Sequence, residues 1–142
     1  MMYARFLAMI VISTISMFGL MYLNTFAIDH LFFSETRSYM ALYMGAAMAI
    51  IMLAFMLSMF SNRTLNVAIF VGAAIVFAAS LYLVRSQATV HDVSWMKAMI
   101  PHHSIAILTS ERARISDPRV RKLADDIIKA QRLEIDEMKA LI

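Results

Sequence analysis

Long uncharged stretches separated by a few polar residues dominate the first part of the chain. Asp, Glu, Lys and Arg are absent from three stretches of about 20 residues or more. An α-helix rises about 1.5 Å per residue, so about 20 apolar residues cross a hydrocarbon core of about 30 Å. A soluble core does not need three such stretches. We therefore predict three transmembrane helices, at about residues 6–28, 39–60 and 65–84.

The first uncharged stretch has a second interpretation, as a cleaved signal peptide. Thr25-Phe26-Ala27 loosely resembles a small-residue cleavage site. However, the apolar part of a signal peptide usually has about 7–15 residues, and this stretch is longer. We therefore favour an uncleaved membrane anchor.

The last part of the chain is polar and predicts two helices. Residues 85–142 hold 10 of the 13 Lys and Arg and 8 of the 10 Asp and Glu. A first helix is expected from Asp92 to about Ile115. The second has a clear start, with Asp117 as N-cap and Pro118 at the first helical position. We divide the chain into a transmembrane region, 1–88, and a helical hairpin, 89–142.

A hairpin of this size buries too little surface to be robust alone. We expect it to dock on the membrane part, to form a dimer or to be stabilised by a ligand. The segment between the first two spans is amphipathic and is expected at the membrane interface. Its His30, and His91 before the hairpin, are expected to be solvated loop histidines. The net charge of +3 contains no basic run, so nucleic-acid binding is not indicated, and the lack of cysteine excludes disulfides and thiolate ligands.

The first hairpin helix brings potential metal ligands to one face. At about 100° per residue, Met96, Met99 and His103 fall within an arc of about 60°. His102 lies at the edge of this arc. Pro101 removes one backbone hydrogen bond and can bend the helix.

The second hairpin helix has a matching polar face made by Gln131, Glu134 and Met138. If the hairpin closes with the two faces together, thioethers, imidazole and a carboxylate converge. Thioether and imidazole suit Cu(I), with Ag(I) as its mimic, and the imidazoles and carboxylate also tolerate Cu(II). The same residues have a purely structural interpretation, because methionine commonly fills irregular helix contacts and a His pair can hydrogen-bond at a bend.

Two sequence runs resemble the bacterial family called domain of unknown function 305. They are Trp95-Met96-x-x-Met99-Ile100-x-His102-His103-x-x-Ala106 and Gln131-x-x-Glu134-Ile135-x-x-Met138. The resemblance implies a ferritin-like helical fold, and some members are linked to copper binding and copper resistance outside the cytoplasm. It also implies the candidate ligands Met96, Met99, His102, His103 and Met138, with Glu134 close by.

The sequence departs from this family at two adjacent positions. Where the family commonly has a methionine six residues after the second histidine, this chain has Thr109, and Leu108 replaces a usual polar residue. One expected ligand is therefore missing. A ferritin-like bundle has four helices and the tail supplies two, so the resemblance implies a homodimer or packing on the spans.

The second span carries a ridge of methionines spaced four residues apart: Met40, Met44, Met48, Met52 and Met56. A ladder of thioethers could pass Cu(I) through the bilayer as a secondary metal path. We favour the alternative that the ridge packs helices together. The small residues Gly45, Ala46 and Ala49 beside it support close helix contact.

The sequence as a whole predicts an all-α, membrane-anchored protein that binds copper, or silver, in metal homeostasis or resistance. Another copper-handling protein is an expected partner. The alternative is a scaffold or regulatory subunit whose tail binds a partner without metal. No nucleophile–base pair, His-Glu-x-x-His motif or pair of Glu-x-x-His motifs occurs, so we predict no enzyme. The resemblance and an N-terminus-in, three-span count place the tail outside the cytoplasm of a bacterial inner membrane.

Overall fold

The computed structural model describes residues 2–142, and all regular structure in that range is helical. Five α-helices follow one another: α1 (Met2–Leu20), α2 (Glu35–Phe55), α3 (Arg63–Ser86), α4 (Asp92–Arg112) and α5 (Pro118–Leu141). A single turn of 3-10 helix, Ile28–His30, lies between α1 and α2. The predicted all-α fold, with three apolar helices followed by a two-helix hairpin, is confirmed.

The chain forms two compact units that do not follow its linear order. The span unit contains residues up to Met21 together with Thr36–Thr89. The tail unit contains Tyr22–Glu35 together with Val90–Ile142. The segment 22–35, here called the connection, thus belongs to the same compact unit as the hairpin.

Helices α1, α2 and α3 are long and apolar enough to cross a membrane. They contain 19, 21 and 24 residues and have mean hydropathies of 1.7, 1.8 and 2.5. These lengths correspond to about 28–36 Å of helix. Most of their side chains lie on the outside of the span unit, and only 6% of the apolar window of α3 is buried. Such a large exposed apolar surface is compatible with a lipid bilayer and unfavourable in water.

The first helix ends earlier than the hydrophobic pattern predicts. It stops at Leu20, although the apolar stretch continues to Ile28. The Arg37 guanidinium is buried and donates a 2.7 Å hydrogen bond to the carbonyl oxygen of Met21. A cation at this position satisfies a free carbonyl and complements the negative end of the helix dipole. The later apolar residues enter the connection instead.

The span unit is held by an apolar core and by one polar contact at its end. Phe6, Ile10, Ala49, Leu53 and Phe60 form the core. The Tyr3 hydroxyl donates to Asn66 Oδ1 at 2.8 Å and accepts from the Asn62 N–H at 3.0 Å. The Asn62 side chain in turn caps α3 by accepting from the Leu65 N–H. These bonds tie the start of α1 to the α2–α3 turn.

Close approach of α1 and α2 requires the glycine at position 45. A Cβ placed on Gly45 would collide with the side chain of Thr14, so only glycine fits there. Ala46 and Ala49 are also buried. The predicted role of these small residues in helix contact is therefore confirmed.

The methionine ridge lies along a half-buried face of α2, with Met56 one residue beyond the end of the helix. Met40, Met44, Met48, Met52 and Met56 are all partly buried. Three of them, Met48, Met52 and Met56, pack directly against the apolar core of the span unit. This contact is what the packing interpretation predicts, whereas the metal path through the ridge stays a prediction.

The tail unit has a small core into which the connection inserts two aromatic rings. The core contains Met96, Ile100, Ile107, Ile135 and Met138, each at most 9% exposed. Phe26 and Phe32 of the connection pack against these residues. The hairpin thus gains part of the buried surface that two helices alone lack.

Candidate metal centre

A cavity of about 410 Å³ lies between α4 and α5 in the tail unit. Its lining includes the thioethers of Met96, Met99 and Met138, the imidazole of His103 and the carboxylate of Glu134. Trp95, Glu137 and Leu141 complete the lining. The hairpin therefore closes with the two predicted faces together, because the methionine and histidine positions of α4 oppose Glu134 and Met138 of α5.

His103 is the most unusual side chain of this cavity. Only 13% of the side chain is exposed, and its Nδ1 atom is buried without a hydrogen-bond partner. Burial lowers the pKa of His103 below the ordinary value, and nearby His102 acts in the same direction while Glu134 opposes them. The ring is therefore neutral at pH 7. A buried, unpaired polar atom normally costs about 1–3 kcal/mol.

The carboxylate nearest to His103 belongs to Glu134. Its Oε2 atom lies 3.1 Å from His103 Nδ1, but the alignment does not make a hydrogen bond. The same Oε2 accepts from Gln131 Nε2 at 3.2 Å, so Gln131 helps to orient the carboxylate. Because the ring is neutral, the contact is not an ion pair. When Nδ1 carries no proton, two lone-pair donors face each other, an arrangement that a cation would stabilise.

The adjacent histidine has a different environment. His102 is exposed and does not line the cavity. Its ring centroid lies 6.0 Å from that of His103. The structure thus brings together five of the six predicted ligands and leaves His102 outside the group.

Thr109 also lies away from the cavity. It is exposed, and its hydroxyl donates to the backbone carbonyls of Ile105 and Ala106 at 3.0 and 3.2 Å. The residue that replaces the family methionine therefore bonds to its own helix and leaves the cavity lining unchanged.

The donor set of the cavity combines sulfur, nitrogen and carboxylate oxygen. Across residues 2–142, no three His, Asp or Glu side chains come together in a way that could hold a metal. A carboxylate-bridged or zinc-protease type of centre requires such a group. The cavity instead offers three thioethers and one imidazole, which are ligands for Cu(I), beside the carboxylates of Glu134 and Glu137.

Sequence reasoning missed a polar cluster on the other side of α4. Ser104 is fully buried and binds the connection through Phe26 and His30. His30 is only 13% exposed at its side chain, so the expectation of a solvated loop histidine is wrong for this residue. His91 is exposed, as expected. The amphipathic pattern of the connection signalled a buried face, but it could not identify the tail as the covering surface.

The fold and cavity define a class: three helices of membrane-spanning length with a helical hairpin that encloses a methionine- and histidine-lined pocket. Residues 79–142 match the family described as Domain of unknown function (DUF305). The expected resemblance is thus confirmed for the C-terminal part of the chain. The match begins within α3 and includes all of α4 and α5.

One similar curated protein is Uncharacterized protein L153 of Acanthamoeba polyphaga mimivirus. It is 44% identical over 64 residues, a stretch that covers 44% of this chain and 42% of the relative. The chain thus spans less than half the length of that relative. No solved structure matches the chain.

Proposed function

We propose that the protein is a membrane-anchored binding protein for Cu(I), with Ag(I) as a mimic, that acts in metal homeostasis or resistance. The observation that carries this proposal is the buried and unbonded Nδ1 of His103 in a cavity lined by three methionines. Such an atom destabilises the tail unless a ligand uses it. A bound cation would remove that cost.

The chemistry of the pocket selects for a soft, monovalent ion. Met96, Met99 and Met138 would supply thioether sulfur, which binds Cu(I) and Ag(I) and has little affinity for Mg²⁺ or Ca²⁺. His103 would supply a neutral imidazole, since burial lowers its pKa. Glu134 adds one negative charge beside the ring and would also tolerate Cu(II). The group holds an ion without providing a nucleophile, so we propose binding and not catalysis.

The location and partners are part of the same proposal. Helices α1–α3 would anchor the protein in a bacterial inner membrane, with the tail on the extracytoplasmic side. Half-exposed aliphatic side chains form a stripe on α5 at Val120, Leu123 and Ile127. We propose that a second copy covers this stripe and completes a four-helix bundle. Another copper-handling protein would exchange the ion with the pocket.

The test is an anaerobic Cu(I) competition titration of the full-length protein in detergent against a chromogenic chelator. The proposal predicts tight binding that is lost in His103→Ala and kept in His102→Ala, the matched control one residue away. Equal loss in both variants would contradict the assignment of the pocket. Failure of the wild type to compete would contradict copper binding altogether.

The alternative function is a scaffold whose tail binds a partner without metal. The exposed stripe on α5 favours it, because a surface of this kind is typical of a protein interface. In that case Val120→Ser and Leu123→Ser would disrupt assembly, whereas His103→Ala would not. The stripe variants disrupt assembly under either function, so the chelator competition separates the two: the scaffold function predicts no Cu(I) binding by the wild type.

A further inference from the structure

The buried hydroxyl of Ser104 joins the connection to the hairpin through two bonds. Ser104 Oγ accepts from the Phe26 N–H at 2.7 Å and lies 2.9 Å from His30 Nδ1. Ser104 is 0% exposed, so water does not replace either partner. Both partners belong to the connection, and Ser104 belongs to α4. This hydroxyl is therefore a fully buried polar contact between the two segments.

The Ser104 hydroxyl can donate to His30 Nδ1 when the ring is neutral. Because Ser104 Oγ accepts from Phe26, its single hydrogen is available to point at His30 Nδ1. When the hydroxyl donates in this way, Nδ1 carries a lone pair and the ring is neutral with its proton on Nε2. A protonated ring would direct a second N–H at the same oxygen. The hydroxyl hydrogen would then no longer bond to Nδ1.

Charged groups from two segments surround His30. Asp29 on the connection places Oδ2 4.0 Å from His30 Nε2, and Lys139 of α5 binds that same carboxylate. Burial is the main cause that lowers the pKa of His30, followed by the charge of Lys139. Asp29 and Asp136 act in the opposite direction, and Arg132 lowers the pKa further. Because Lys139 binds Asp29, the carboxylate only partly offsets the effect of burial.

We infer that His30 is a pH-sensitive latch that holds the connection on the hairpin when neutral and releases it when protonated. The inference goes beyond the proposed function, because neither His30 nor Ser104 lines the cavity. Release would detach Phe26 and Phe32 from the tail core, on which both rings pack. Since the connection joins α1 to α2, the latch determines whether the link between these two spans is fixed to the hairpin.

The direction of the pH effect follows from linkage. The docked state has a lowered pKa for His30, so the released state binds the proton more tightly. Docking is therefore fully stable above the ordinary histidine pKa of about 6.5 and weakens as the pH falls below that value. At about pH 5.0, the largest loss that one histidine can cause is about 30-fold in the docking equilibrium.

Hydrogen exchange of the full-length protein in detergent tests the latch. Protection of residues 22–35, corrected for intrinsic exchange rates, is compared at about pH 7.5 and about pH 5.0, on either side of the ordinary histidine pKa. We expect several-fold lower protection at the acid pH in the wild type and in His91→Gln, the control histidine. His30→Gln should abolish this pH dependence. Equal protection of the wild type at both pH values, or an unchanged pH dependence in His30→Gln, would overturn the inference.

A second measurement remains decisive if His30→Gln releases the connection at every pH. Long-range ¹H–¹⁵N spectra of histidine-labelled wild type report the ring state of His30. The latch is supported if the ring is neutral and protonated at Nε2 while the connection is protected from exchange. Acidification should then protonate the ring and remove the protection over the same pH range. A ring that becomes protonated while protection persists overturns it. Lys139→Gln should weaken the pH dependence, since it removes a cation that lowers the pKa of His30 and so narrows the difference between the docked and released states.

Discussion

Replacing Ser104 by alanine tests whether the connection is a structural part of the tail. On a helix surface this substitution would be favourable, because alanine has a helix propensity about 0.5 kcal/mol better than serine. In the structure the hydroxyl is fully buried and bonded to both Phe26 and His30. The two environments therefore predict opposite signs for the same substitution.

The expected magnitude comes from the two hydrogen bonds. Leaving the Phe26 N–H without an acceptor costs about 1–3 kcal/mol, and losing the neutral bond to His30 costs about 0.5–1.5 kcal/mol. After subtraction of the propensity gain of about 0.5 kcal/mol, the tail should lose about 1–4 kcal/mol of unfolding free energy. The change is large compared with the few tenths that a surface substitution produces.

The chain provides its own probe for this measurement. Trp95 is the single tryptophan and lies on α4, so its fluorescence follows unfolding of the tail in urea while the protein stays in detergent. Ser110→Ala, on the same helix and outside the network, is the control and should change stability little. Unchanged or increased stability of Ser104→Ala would refute the claim that the connection is part of the tail unit.

Three further predictions concern single positions. Gly45→Val should destabilise the span unit by about 1–3 kcal/mol, because the valine side chain would collide with Thr14. Gly72→Ala should not, because there is open space around Gly72. Thermal unfolding followed by circular dichroism in detergent measures both variants. Thr109→Met should leave Cu(I) affinity unchanged in the chelator competition, since position 109 does not line the cavity, and tighter binding would contradict this placement. Asp117→Ala should cost about 1 kcal/mol in urea unfolding, because the Asp117 carboxylate caps α5 by accepting from the Arg119 N–H, and no loss would argue against the cap.

The sequence predicts the five helices well because each has a strong local signal. Uncharged length identifies α1–α3, and the Asp117-Pro118 pair marks the start of α5 at the position observed. The end of α1 was predicted too late, at Ile28. Its end depends on Arg37, which reaches the carbonyl of Met21 from the next helix, and a hydropathy pattern does not contain that contact.

The candidate site was also predicted only in part, where local sequence patterns determine it. Helical periodicity was sufficient to bring Met96, Met99 and His103 to one face, and the cavity has these residues opposite Met138. Periodicity left His102 at the edge, and the structure leaves it exposed. Ser104 was not predicted as a contact, because its partners lie more than 70 residues earlier in the chain. Long-range pairing of this kind requires the tertiary structure.

X-ray absorption spectroscopy of the full-length protein loaded anaerobically with Cu(I) tests the central claim most directly. The proposed pocket predicts a copper ion with sulfur neighbours from methionine and one imidazole nitrogen from His103. The imidazole signal should disappear in His103→Ala and persist in His102→Ala. A copper ion surrounded only by nitrogen and oxygen, or a spectrum unchanged by His103→Ala, would contradict a thioether–imidazole site between α4 and α5.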